Sequence, residues 1–303
     1  MDNRKKKTVI ITFASIVLIV LAILLLVMSG LFDLAELRNN KEEESNGEVQ
    51  PGDPVSEEKR RLRSLWLENK AINKDYIGDL FFDSGIINVS FVQAKSVYDE
   101  DGELRRFYTE DGKLVTEAGD YTGNDVYIWT YWKTGEYDYN DNGGSTFMDY
   151  RNDLHDQNLI IYGHHFSVWN DKTRSKAFTP LELFLDQENY EPNKYATLVL
   201  EDEIRRYEVV SVYQFDMSDQ RYFNDFQYWR TNYNYDEYNE NAYEPDYYQN
   251  YINGLKEVQL YDTGVKLTVK DKTLTLQTCI SGYTGELYEI VVLKQISVDD
   301  YIS

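Results

Sequence analysis

The chain has 303 residues, a formal net charge of −22 and one cysteine. So strong a negative charge argues against nucleic-acid binding, because the phosphates would be repelled. A single cysteine excludes an intramolecular disulfide framework, so the fold must depend on a hydrophobic core.

The N-terminus carries a short basic cluster before an uncharged and mostly apolar segment at residues 8–32. At about 1.5 Å per residue this segment is long enough to cross a bilayer, and the bases before it predict that the N-terminus stays in the cytoplasm. We therefore expect residues 1–32 to be a cytoplasmic tail and a single-pass anchor in the cell membrane, with the following domain extracytoplasmic. The alternative is a cleaved signal peptide, for which Ser29 and Gly30 offer a weak cleavage site.

Residues 33–55 are rich in Glu, Asn, Gly and Pro and are predicted to be a flexible linker. A domain at 56–303 follows, opening with a helix that begins at Ser56. Apolar residues at helical spacing predict that this helix packs on the domain, and they are Leu62, Leu65, Trp66 and Ile72.

The next part of the chain has the composition of β-strands, with no alternation of strands and helices. Strands are predicted at 86–92, 126–132, 158–163, 197–200, 204–213, 265–269, 273–278 and 290–296. Two Asp-Gly turns ten residues apart predict an exposed hairpin insertion at about 96–123. A short helix is expected at 180–185, and helix with loop at 218–251. The pattern indicates a mainly β fold, a barrel with a few helices.

Cys279 and His164 each end one of these predicted strands. A thiolate is a nucleophile, and a neighbouring imidazole can favour the thiolate and later protonate a leaving amine. His164 is preferred over His165, which should point the other way, and over His155, which lies in a polar loop. The alternative is a purely structural role, in which Cys279 is a buried and chemically inert side chain.

No cofactor or metal site is predicted. One cysteine beside a His-His pair lacks the spacing of a structural zinc site, and the acidic turns lack the ligand pattern of a calcium loop.

Five segments, in this order along the chain, resemble the class B sortases. They are 144–152 (GSTFMDYRN), 157–165 (QNLIIYGHH), 207–213 (YEVVSVY), 260–265 (LYDTGV) and 274–279 (LTLQTC). The resemblance covers about residues 60–300 and implies a closed eight-stranded β-barrel with an N-terminal helix and an extra helix before the Cys strand.

The resemblance also implies a cysteine transpeptidase at a Gram-positive cell surface, with Cys279 as nucleophile and His164 as general acid and base. Its expected partners are surface proteins that carry a C-terminal sorting signal, and a peptidoglycan-precursor or pilin amine that accepts them. Two alternatives stay open. One is a catalytically degenerate surface binding or assembly module, and the other is a cysteine endopeptidase that hydrolyses the thioester.

One family residue does not carry over, because Glu289 stands where these sortases are expected to have an arginine. An anion there would raise the pKa of the thiol and is no oxyanion donor unless protonated. Three outcomes are open. An arginine at 205, 206, 221 or 230 takes the site, backbone amides with a hydroxyl such as Tyr283 or Tyr288 suffice, or the enzyme is slow or inactive.

Overall fold

Residues 54–138, 143–166, 176–216, 245–280 and 287–300 are described by a computed structural model. The chain divides after Glu57 into two units, and the barrel belongs to the second, Glu58–Ser303. The predicted anchor at 8–32 and the predicted linker up to residue 53 lie outside the described residues, so both stay predictions. No helix in the described ranges is long and apolar enough to cross a membrane.

Strands dominate the domain. Those of the main sheet are β1 (Tyr76–Phe82), β2 (Asn88–Val92), β5 (Thr146–Met148), β6 (Asn158–Tyr162), β7 (Tyr195–Val199), β8 (Glu203–Asp216), β9 (Thr273–Cys279) and β10 (Leu287–Asp300). They close into a barrel in the order β1-β2-β5-β6-β9-β10-β8-β7. The predicted eight-stranded barrel is thereby confirmed. Two short strands, β3 (Thr130–Tyr131) and β4 (Glu136–Tyr137), form a separate antiparallel pair.

Helices lie at the start of the domain and between the strands. The α-helices are α1 (Pro54–Ile72), α2 (Asp125–Ile128), α3 (Tyr190–Asn193) and α4 (Pro245–Val258), and two 3₁₀ helices span Thr179–Leu185 and Gln187–Asn189. Helix α4 comes directly before the Cys strand in the chain, as expected. Its proline stands at the first position, where no backbone donor is lost.

Helix α1 begins two residues earlier than predicted, and fewer of its apolar residues are buried than their spacing suggests. Trp66 is buried and donates from its indole nitrogen to the carbonyl of Ile77 at 2.8 Å. Leu65 and Ile72, which were expected to pack, are exposed. Trp66 thus anchors the helix together with hydrogen bonds from Asn69 to the Tyr76 hydroxyl and from Lys70 to the Tyr76 carbonyl.

Alternation along the strands separates two apolar regions. The barrel interior takes alternate residues of the central strands, including Leu159, Ile161, Leu274, Leu276, Val291 and Leu293. The opposite face of β8 and β10 packs against α4, through Ile290 and Val292 with Tyr251 and Leu255. Side-chain direction at the ends of β6, β9 and β10 can be read from these two sets.

Two predicted strands are wrong. The segment at 126–132 forms α2 and then the two residues of β3, because a short apolar run does not distinguish helix from strand. The segment at 265–269 lies outside any strand, although Val265, Leu267 and Val269 pack against the α4 cluster. Apolar and polar residues do alternate in this segment, but a closed barrel leaves no open sheet edge at which the segment could pair as a strand.

Candidate active site

Strands β6 and β9 pair in parallel, so their C-terminal ends lie next to each other. Their register runs from Asn158 opposite Thr273 to Tyr162 opposite Gln277. Beyond β6 the pairing continues, since the amide of Gly163 donates to the carbonyl of Gln277 at 3.1 Å. The hydroxyl of Thr278 donates to the carbonyl of Gly163 at 2.8 Å, across the same separation of 115 residues. Continued by two residues beyond Tyr162 and Gln277, this register places His164 opposite Cys279.

Both side chains also take the same face of the sheet. Leu276 points into the barrel interior, so Gln277 lies on the outer face, Thr278 on the inner and Cys279 on the outer. On the neighbouring strand Ile161 is interior, which puts His164 outside by the same count. The structure thus places the two predicted residues side by side on the outer face.

The environments of the two groups differ. Cys279 is exposed, as a nucleophile that must meet a large substrate requires. The His164 ring is largely enclosed. Its Nε2 atom lies 2.6 Å from the carbonyl oxygen of Ile128. The imidazole and the Trp129 indole have ring centroids 4.6 Å apart and planes inclined at 36° to each other. Burial is the main cause that lowers the pKa of His164 below its ordinary 6.5, while the contact with Ile128 acts in the opposite direction.

The hydrogen bond to Ile128 determines the tautomer of His164. A carbonyl oxygen only accepts, so Nε2 must carry the proton in this bond. The neutral ring therefore keeps its lone pair on Nδ1. A neutral imidazole with Nδ1 open can accept the proton of a thiol.

The other two histidines are placed as the sequence suggests. His165 turns inward, with its side chain 2% exposed and its Nε2 3.3 Å from a carboxylate oxygen of Glu182. His155 is exposed near the opposite end of β6. Neither lies on the face that carries Cys279.

Glu289 is not beside the thiol, so the expectation that its charge would oppose the thiolate is wrong. It pairs in register with Thr278 and Gln214 and takes the inner face together with Val291. It is 0% exposed, and neither carboxyl oxygen has a hydrogen-bond partner within the described part of the chain. Burial, and then the charge of Glu182, raise the pKa of Glu289 to about 8, so the group is mostly protonated at neutral pH.

The strand neighbour of Cys279 on β10 is Tyr288. In an antiparallel pair, residues directly opposite have their Cβ atoms about 4.5–5.5 Å apart on one face. The Tyr288 ring also stacks on Phe215, at 5.4 Å and 25°. Of the two tyrosines considered from the sequence, Tyr288 is thus opposite Cys279 in the sheet, and Tyr283 lies outside the described residues.

The arginines considered as replacements are placed elsewhere or not described. Arg205 bonds Glu203 at 2.6 Å, and Arg206 bonds Asp83 at 2.6 Å. Both pair with the far end of β10, roughly 30 Å along the strand from Tyr288 at about 3.3 Å per residue. Arg221 and Arg230 lie outside the described residues.

Sequence reasoning did not identify Trp129 and Ile128 as neighbours of the histidine. Their segment was predicted to be a strand. No local pattern in the sequence signals a contact between residues 36 positions apart. Among the described residues, no three His, Cys, Asp or Glu side chains are grouped in a way that would hold a metal ion.

Comparison with known proteins points to one family. Sortase B of Staphylococcus aureus (strain NCTC 8325 / PS 47) is 32% identical over 157 residues, which are 50% of this chain and 54% of the relative. Sortase B of Listeria monocytogenes serovar 1/2a is 28% identical over 138 residues, 45% of this chain and 47% of the relative. The chain thus matches about half the length of these curated relatives. No family model matches the chain.

Solved structures share the fold. Clostridium perfringens sortase B has a TM-score of 0.54 at 23% identity, over 76% of this chain and 99% of that chain. A Staphylococcus aureus sortase B–substrate complex has a TM-score of 0.55 at 22% identity, over 86% and 99%. This chain is thus similar to class B sortases in the sequence of half its length, and it shares the barrel fold of the solved sortase B structures.

Proposed function

We propose that this chain is a membrane-anchored cysteine transpeptidase of the sortase type. The observation that carries the proposal is the placement of Cys279 and His164 on one face of two paired strands, in continuous register. An exposed thiol at the end of one strand, with an imidazole whose lone pair is on Nδ1 at the end of the paired strand, is the minimum that acyl transfer through a thioester needs.

The first half of the reaction cleaves the donor. Nδ1 of His164 accepts the thiol proton, and Sγ of Cys279 attacks the carbonyl carbon of the scissile peptide bond. The C–N bond then breaks, and the imidazolium gives the proton to the leaving amine. The products are a thioester on Cys279 and the released C-terminal fragment.

The second half joins the acyl group to a new amine. The incoming amine attacks the thioester carbon, its proton passes to Nδ1 of His164, and the proton returns to the departing thiolate. Cys279 is then free for another cycle. Water entering in place of the amine would give hydrolysis instead.

Known complexes support the class of substrate. One solved sortase B is complexed with a substrate, and another is complexed with a glycine tripeptide. We extend this to a C-terminal sorting signal of a surface protein as the donor, and to a peptidoglycan-precursor or pilin amine as the acceptor. Residues 8–32 would hold the catalytic domain at the outer side of the cell membrane.

The test is intact-mass analysis of the full chain in detergent, incubated with a library of sorting-signal peptides. We expect an acyl adduct on the unmodified protein, none on Cys279→Ala, and a rate for His164→Ala reduced by about 10²-fold or more. His155→Ala changes an exposed histidine and should react as the unmodified protein does. Full reactivity of Cys279→Ala would disprove the proposal.

Adding amines to the same reaction separates the alternatives. Ligation of an oligoglycine, diaminopimelate-type or lysine-type amine supports transpeptidation. Hydrolysis that no amine diverts would identify a cysteine endopeptidase. No adduct from folded protein with any peptide would favour a binding or assembly module.

A further inference from the structure

We propose that Trp129 is a positioning residue for His164, holding the imidazole in the one orientation in which Nε2 bonds the Ile128 carbonyl and Nδ1 keeps the lone pair that accepts a proton. The inference rests on the proposed function for its meaning, but the orientation itself can be measured without any reaction. Its basis is a pair of contacts that adjacent residues make with a single ring. The Ile128 carbonyl bonds Nε2 at 2.6 Å, and the Trp129 indole lies 4.6 Å from the ring centroid.

The two contacts restrain different motions. A hydrogen bond to Nε2 lies in the ring plane and prevents a 180° flip, because the flip would bring a carbon to the carbonyl in place of a nitrogen. The indole lies against the ring face and limits rotation of the plane about χ2, which is otherwise broad for histidine. Together they define both the plane and the edge that the ring presents.

The end of α2 makes the pairing possible. The helix ends at Ile128, and Trp129 follows as its C-cap with φ −120° and ψ 4°. Carbonyls in the last turn of a helix lack partners within it, so that of Ile128 is available to accept from His164. The next side chain along the chain is then the one that contacts the ring face.

Neighbouring residues keep this helix end in place. Gly144 has φ +70°, and a Cβ there would come within 2.1 Å of the Ile128 carbonyl oxygen, so only glycine leaves room for that oxygen. The amide of Ser145 donates to the carbonyl of Tyr127 at 3.0 Å, and the Ser145 hydroxyl donates to the carbonyl of Thr130 at 2.6 Å. The segment on both sides of Trp129 is therefore tied to the strand that begins at Thr146.

Partial exposure argues that Trp129 is more than a core residue. Its side chain is only half-buried, whereas Trp66 and Trp132 are 3% and 5% exposed. A tryptophan left partly open to solvent contributes less to stability than a buried one. Its contact with the ring of His164 is the specific feature that a smaller or non-aromatic side chain would remove.

The decisive measurement is the tautomer of His164, from ¹⁵N NMR of the full chain in detergent. The signal is assigned by its loss in His164→Gln and is recorded in a Cys279→Ala background, so that no reaction intervenes. We expect a strong preference for the Nε2–H form in the parent, a mixture of tautomers in Trp129→Ala, and the parent preference in Trp129→Phe. Tyr98→Phe, a change at an exposed aromatic residue outside helix α2, should leave the tautomer unchanged.

Kinetics on proteins that keep Cys279 give the second readout. Trp129→Ala should lower kcat/KM about 10- to 100-fold, mostly through kcat, because the imidazole is misplaced while substrate contacts persist. Trp129→Phe should recover to within about threefold of the parent, because an aromatic face remains.

Three results would overturn the inference. One is an unchanged tautomer and kcat/KM in Trp129→Ala. The second is a loss in Trp129→Phe as large as that in Trp129→Ala, and the third is an effect that follows the melting temperature across the variants. If the tautomer responds as expected but no variant forms a thioester, the positioning role stands and the proposed function fails.

Discussion

Glu289 is an acid that the fold keeps away from water. It lies on the inner face of β10, and within the described ranges both of its carboxyl oxygens are without a hydrogen-bond partner. Burial of an unpaired carboxylate disfavours the charged form, which is why its pKa rises to about 8. Glu289 therefore affects the stability of the fold more directly than the reactivity of Cys279, because the thiol lies on the opposite face of the sheet.

Glu289→Gln should change how stability depends on pH. The folded state binds the proton of Glu289 more tightly than the unfolded chain does, so protonation of Glu289 stabilises the fold. This contribution to the free energy of unfolding is fully present below pH 4.5 and is lost as the pH rises through about 8. The variant cannot ionise, so its advantage over the parent should grow by up to about 1.4 kcal/mol per pH unit across that window. Urea unfolding at pH 5, 7 and 9 measures this. Glu117→Gln, at an exposed site, is the control, and parallel curves for parent and Glu289→Gln would contradict the assignment.

Tyr288→Phe should slow acylation, because this residue lies opposite Cys279 in the sheet and carries a hydroxyl that can donate to the reacting carbonyl. Loss of a donor to the developing oxyanion typically costs about 10²-fold in rate. We expect kcat/KM to fall about 10- to 100-fold with an unchanged melting temperature, measured by the rate of the thioester adduct. Tyr98→Phe, at an exposed tyrosine, should have no effect. Equal rates for both variants would mean that another group assists the reaction.

At the scale of elements, a buried asparagine joins the two strands that carry the site. The Oδ1 atom of Asn158 accepts from the hydroxyls of Thr273 and Thr275, each at 2.9 Å, and Asn158 is 0% exposed. This side chain connects β6 to β9 at the end opposite His164 and Cys279. It reinforces the register on which their alignment depends.

Asn158→Ala should therefore destabilise the fold by about 1–3 kcal/mol, since it leaves buried hydroxyls short of an acceptor. Denaturant unfolding gives the value, and Asn88→Ala, at an exposed strand position, should stay within about 0.5 kcal/mol of the parent. A cost no larger than that of the control would show that the hydroxyls find equivalent partners in Tyr248 and Tyr251, which lie within 3.5 Å of them.

Local pattern was sufficient to predict β6, β9 and the β7–β8 hairpin, because their apolar periodicity and turn residues agree with their surroundings. Local pattern was insufficient where tertiary contacts determine the conformation of a segment. Residues 126–128 turn within α2 instead of forming a strand, because Val126 and Tyr127 both pack into the cluster around Trp66, which a strand's alternation would not allow. The inward direction of Glu289 depends on the pairing of β10 with β9, which the residue's position in the sequence does not reveal.

At the scale of the whole molecule, residues 96–123 are more than an exposed excursion. The two predicted turns are present, with bridges between Tyr98 and Leu104 and between Tyr108 and Leu114. Phe107 is nevertheless 0% exposed and belongs to the cluster that contains Trp66. The segment thus supplies part of the core that receives α1.

Phe107→Ala should cost about 3–5 kcal/mol, because a large side chain leaves a cavity in that cluster. Leu114→Ala, in the same segment but 50% exposed, is the matched control and should cost under about 1 kcal/mol. Thermal or denaturant unfolding compares them. Similar small losses from both would mean that the segment packs independently of the domain core.

The parallel pairing of β6 with β9 also determines when the thiol becomes reactive during folding. The two strands are 115 residues apart in the chain, so the entropy of closing a long loop must be overcome before they meet. A growing or partly folded chain that has not yet formed this contact holds a cysteine with no imidazole beside it. The proposed thioester chemistry therefore requires barrel closure, because only closure brings His164 to the end of the strand that carries Cys279.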